Sequence, residues 1–75
     1  MLTYKAVLAL LSGPNFHPYD SHDIVAPSEA KAIDQAFQWA RNPAREVVLG
    51  THLVVTIDGK SILSEKLDWT NTPRP

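Results

Sequence analysis

From residue 2 to residue 11 the chain alternates between two sets of side chains, the period-two signature of a strand. Leu2, Tyr4, Ala6, Leu8 and Leu10 form a wholly apolar face, and Thr3, Lys5, Val7, Ala9 and Leu11 form the other. The first face suits a core, while Val7 and Leu11 make the second less polar than a solvated surface needs. Ser12-Gly13-Pro14-Asn15 breaks the strand. The segment Phe16 to Asp23 is rich in turn formers and reads as a loop, and Asp23-Ile24-Val25-Ala26 predicts a short second strand before Pro27.

Past Pro27 the period changes to that of a helix. Ser28 is placed to accept an orphan backbone N–H as N-cap, and Glu29 puts negative charge at the positive end of the dipole. On a helical wheel Trp39, Ala32, Ala36, Ala40, Ile33, Phe37 and Ala30 fill one half, and Lys31, Asp34, Gln35, Gln38 and Arg41 fill the other. The alanines permit close approach to a sheet, with Ile33 and Phe37 as the main pegs and Trp39 at the edge of the arc. Asn42 suits the C-cap, and Pro43 cannot continue the helix.

Val47-Val48-Leu49 is cut short by Gly50 and reads as a lead-in to a strand from His52 to Thr56. Asp58-Gly59 then signals a hairpin, whose loop length decides which residues share a face. A two-residue turn over Asp58-Gly59 places Ile62 beside Val55 and leaves Leu63 and Leu67 outside. A turn over Ile57 and Asp58, with Gly59 left-handed, pairs Thr56 with Lys60 and keeps Leu53, Val55, Leu63 and Leu67 together; this is the predicted form. The last strand runs from about Ser61 to Leu67, and residues 70–75 read as a disordered tail on a single domain, 1–69.

The resulting order, β-(β)-α-β-β, is an α+β two-layer sandwich with one helix on a mainly antiparallel sheet of three to four strands. One helix covers one side of a sheet. The uncovered side is expected to present Val7, Leu11, Val54 and Ile62 among Thr3, Lys5, Thr56 and Lys60, a moderately apolar patch of the kind that marks an interaction surface.

Composition sharpens this picture. At 75 residues the chain buries only roughly 60% of its unfolded surface. It has no cysteine, so neither a disulfide nor a thiolate zinc site supports it, and oligomerisation is the remaining common support. Seven Lys and Arg stand against eight Asp and Glu, scattered without a basic tract, which argues against nucleic acid as a partner. The apolar run Ala6 to Leu11 is shorter than a signal-peptide core and far too short to span a membrane, so a cytoplasmic protein without a membrane partner is expected.

Candidate chemistry is sparse. His17-Pro18-Tyr19-Asp20-Ser21-His22-Asp23 holds the ligand-type side chains His17, Asp20, His22 and Asp23, but at a spacing that matches no metal motif, so a solvated loop and no bound metal are expected. Ser21 with His22, or His52 with a carboxylate, are the available nucleophile–base combinations, and neither spacing supplies a catalytic geometry. Gly13, Gly50 and Gly59 are isolated and form no phosphate loop. No catalytic residue and no cofactor is expected.

Pro27-Ser28-Glu29-Ala30, Ala32, Ala36 and the Val54 to Leu63 hairpin with Asp58-Gly59 resemble the short bacterial domains of unknown function built as strand, acidic turn, alanine-rich helix and closing hairpin. The same residues are similar to the HicB-like antitoxin fold, and the likeness covers residues 2 to 67. HicB-like domains carry a Gly-rich turn and a further strand before the helix, which Gly13-Pro14-Asn15-Phe16 does not supply. The first resemblance implies a small bacterial protein without assigned chemistry, and the second implies a protein partner. The expected function is a small non-enzymatic protein-interaction domain that self-associates as a homodimer or binds another protein. The alternatives are a nucleic-acid-associated or antitoxin-type regulator and, third, a metal-binding module using the His17 to Asp23 loop.

Overall fold

The alternating segment at the start of the chain becomes strand β1, Leu2–Ser12, in a computed structural model that describes residues 1–71. Strand β2 (Asn15–Ala26) pairs along one edge of β1 and β3 (Thr51–Ile57) along the other. With β4 (Lys60–Lys66) closing on β3, the sheet is antiparallel throughout and ordered β2-β1-β3-β4. Helix α1 (Glu29–Arg41) packs on one side, which makes the two-layer α+β architecture that the pattern predicts, with four strands.

Residues 16–23 are strand, where composition predicts a loop, and the second strand is twelve residues long rather than a short 23–26 segment. Ser12 pairs with Asn15 across Gly13-Pro14, with Gly13 at φ 60 in the first central position, as in type II′ hairpins. The physical reason is tertiary. The free edge of β1 carries N–H and C=O groups that need partners, and the following chain supplies them in spite of its local propensity. Pro18 is tolerated because β2 is an edge strand and the ladder slips beside it, leaving Tyr19 as an extra residue opposite the Leu8–Ala9 step. A full strand therefore precedes the helix.

At the second hairpin the structure takes the two-residue turn that the pattern argues against. Ile57 pairs with Lys60 around Asp58 (φ 50) and Gly59 (φ 77), the positive-φ pair of a type I′ turn. A bulge then restores the faces: the register shifts between Val55 and Thr56, so that Ile62 is inserted and Leu63 comes opposite Val55. Leu67 follows on the same side, donating its N–H to the Thr51 carbonyl at 2.9 Å.

Helix α1 begins where Ser28 predicts, the hydroxyl accepting from the Lys31 N–H at 3.4 Å, and its end is set by Asn42, whose N–H donates to the Trp39 carbonyl. Its buried residues are Ala32, Ala36, Ala40 and Trp39. Ile33 and Phe37 are only half-buried, and Ala30 is exposed, so the expected pegs are displaced. The three alanines, four residues apart, form the line of closest approach; Trp39 flanks it on one side and Ile33 with Phe37 on the other.

The C-terminal segment docks further than composition predicts. Val47 and Asn71 exchange both backbone hydrogen bonds, and the Asn71 side-chain amide donates to the Ala40 carbonyl at 2.7 Å, satisfying one of the orphan acceptors at the helix end. Thr70 and Asn71 thus belong to the folded body, and the rest of the expected tail, residues 72–75, lies outside the described residues. Among the described residues no helix is long and apolar enough to cross a membrane.

Candidate interaction surface

The sheet has two sides of different character. On the helix side, Tyr4, Ala6, Leu8, Ile24, Ala26, Leu53, Val55 and Leu67 are buried together with the helix alanines, Trp39 and Val47. Buried Thr51 is held among them: its hydroxyl shares a 2.9 Å hydrogen bond with the Tyr19 hydroxyl. The bulge at Tyr19 aims that ring across β1 to reach β3.

Around the C-terminal end of the helix, two arginines lie on two indoles. The Arg45 guanidinium sits 4.9 Å from the Trp39 ring centroid, while His22 stacks on the same indole at 5.5 Å with planes 15° apart. Arg41 lies 4.4 Å from the Trp69 ring centroid, and Trp69 in turn tilts against Phe37 at 6.2 Å. Arg45 Nε is 3.9 Å from an Asp20 carboxylate oxygen, an ion pair too long for a hydrogen bond.

The opposite side follows from the strand registers. Val7 lies between Ser21 on β2 and Val54 on β3, and Val54 is followed by Ser64 on β4. One row along, Lys5 stands opposite Asp23 and Thr56, and the next row carries Thr3 and Val25. Towards the hairpin tip, Ala9 lies between Pro18 and His52, and Leu11 pairs with Phe16. Val7 and Val54 are half-buried, Leu11 and Phe16 are 45% and 49% exposed, and Ala9 is sunk to 0% between its larger neighbours.

Of the four residues expected on this surface, Val7 and Val54 are direct neighbours at its centre and Leu11 stands at the tip. Ile62 differs: as the residue inserted by the bulge it is half-buried and packs against the core cluster. Phe16 and Val25 also belong to the surface; a reading of 16–23 as loop misses Phe16, whereas Val25 lies in the predicted short strand. The signal for Phe16 was present, because a two-residue turn over Gly13-Pro14 pairs it with Leu11.

Strand geometry also separates the candidate ligands and catalytic residues. His22 pairs with Ala6 and Asp20 with Leu8, on the helix side, whereas Asp23 pairs with Lys5 on the open side and His17 lies beyond the bulge, beside Leu10. No group of three or more His, Cys, Asp or Glu able to hold a metal forms among the described residues. Ser21 and His22 point to opposite sides of the sheet, and His52 Nδ1 lies 3.2 Å from the Gly50 carbonyl.

A hollow of about 510 Å³ is lined by Leu49, Gly50, Lys66, Leu67 and Asp68, and a smaller one of about 250 Å³ by Leu10, Tyr19, Glu46 and Val48. The larger lining offers one ammonium and one carboxylate, with no hydroxyl, thiol or imidazole side chain to act as nucleophile or base. Compared with family models, curated proteins and solved structures, the chain matches none.

Proposed function

We propose that the chain is a small, non-enzymatic protein-interaction domain whose contact surface is the open side of the sheet. The observation that carries this reading is the Val7–Val54 pair, adjacent across β1 and β3 on the side opposite the helix, with the exposed Leu11–Phe16 pair on the same side beyond Ala9. Apolar side chains at the centre of a face with polar surroundings mark surfaces that exchange water for a partner. Arg41 and Arg45 at the helix end are laid on indole rings, and the basic residues are scattered along a chain of slight net negative charge, which favours a protein over a nucleic acid as partner.

The test is photo-crosslinking in the cells that make the protein, with a benzophenone side chain introduced at position 54 and, separately, at position 35 on the polar face of the helix. Covalent protein adducts from position 54, and none from position 35, are the expected result. A position 54 that yields no adduct overturns the assignment.

A further inference from the structure

We infer that the occupant of the open face is a second copy of this chain, packed sheet against sheet about a two-fold axis; the inference rests on the open face being the contact surface. The first argument is area. The strand residues of β1 to β4, at a rise of about 3.3 Å and a strand spacing of about 4.8 Å, give the open side roughly 590 Å², so that two copies would bury about 1,200 Å² in total, the lower bound of a specific interface. A second copy fills that side without needing a larger body, and the product is a four-layer α/β/β/α sandwich in which each sheet is covered twice.

The second argument is charge. A face that meets its own copy must avoid a patch of one sign, since every residue there confronts the same set. Here the Val7–Val54 centre is flanked by Ser21 and Ser64, uncharged on both sides. Lys5 stands in register with Asp23, so that row carries no net charge, and Lys66 lies on the edge strand, next to His52. An uncharged apolar centre with its charges displaced outward is the anatomy of a self-complementary interface.

The third argument is stability. A chain of 75 residues without cysteine has a thin margin, and covering Val7 and Val54 adds apolar burial that the single helix does not provide.

Sedimentation velocity on the full chain, from low to high micromolar concentration, tests the inference. The expected result is a concentration-dependent shift to twice the mass of the 8.3 kDa chain. Val54→Lys should weaken that association at least about tenfold while leaving the circular dichroism spectrum unchanged, and Gln35→Lys on the helix should leave it as it was. Should Val54→Lys fail to fold, the near-isosteric Val54→Thr provides the same comparison with a weaker effect. A monomer at high micromolar concentration overturns the second copy, as does a dimer insensitive to both Val54 variants, which would place the contact at an edge strand. Crosslinks from position 54 to a different protein, with a monomer in the centrifuge, overturn the second copy and leave the interaction surface standing. A monomer without any crosslink from position 54 removes both.

Discussion

Val54 and Val55 are consecutive residues of one strand with the same side chain, and they live in different surroundings. Val55 points towards the helix and is fully buried, while Val54 points to the open side and is half-buried. The same holds for Leu8 against Val7 on β1. Strand propensity does not distinguish these neighbours, because both are apolar residues suited to a pleated surface. The difference lies in what is stacked above them: an alanine-lined helix on one side and no element of the described chain on the other. The sheet thus carries apolar residues on both sides, with the helix on one of them.

The largest predicted effect tests the covered side. Trp39→Ala should destabilise the fold by ~3–5 kcal/mol, because the indole is 8% exposed and carries His22 and Arg45 against its ring; Phe37→Ala, at a half-buried position, should cost about half as much. Urea denaturation of both variants gives the ratio, and a Phe37 effect equal to or above that of Trp39 would reverse the assignment of the helix face.

Next in size is the polar contact inside that layer. Tyr19→Phe leaves the buried Thr51 hydroxyl without its partner and should cost ~1–3 kcal/mol. Adding Thr51→Val should recover part of the loss, so that the double variant is less damaged than the sum of the singles. Additive effects would mean that the hydrogen bond does not couple the two residues.

The second hairpin decides which residues reach which side, through its turn and bulge. Gly59→Ala forces a Cβ into φ 77 and should cost ~1–2 kcal/mol, even though the added methyl meets no atom within 4 Å. A neutral result would show that the turn relaxes to another form.

The smallest effect returns to the two valines. Val54→Thr should change stability by less than ~0.5 kcal/mol, measured on the monomer at low concentration. The matching Val55→Thr places a hydroxyl in the core and should cost ~1–3 kcal/mol. Equal effects at the two positions would erase the distinction between the sides.

Much of this fold is legible without coordinates. The helix is bounded by short-range chemistry, a serine hydroxyl at its start and a proline after its end, so its limits follow from neighbouring residues. Strand β1 is legible from its alternation, and with it Val7 and Leu11 of the candidate surface. Of strand β2 only Asp23–Ala26 is legible; the residues from Asn15 to His22 favour turns, and only the unpaired edge of β1 makes a strand the better solution there. Phe16 is lost with them. The weights of Trp39 and Phe37 were also not legible, since a helical wheel gives an arc and not the direction in which the helix leans on its sheet.

The second hairpin shows most clearly how the two levels divide. Local chemistry selected the turn, as Asp58-Gly59 is the favoured pair where both central residues take positive φ. Burial selected the faces, since Leu63 and Leu67 belong with Val55 and Leu53 in the core. Taken alone, these requirements conflict by one residue, and the bulge at Ile62 reconciles them. The sequence by itself determined the helix ends, the alternation and the turn chemistry, because these depend on groups within a few residues of one another. Tertiary structure alone decided the length of β2, the bulges and the relative burial of Trp39 and Phe37, because those depend on backbone groups and apolar surfaces brought together from distant parts of the chain.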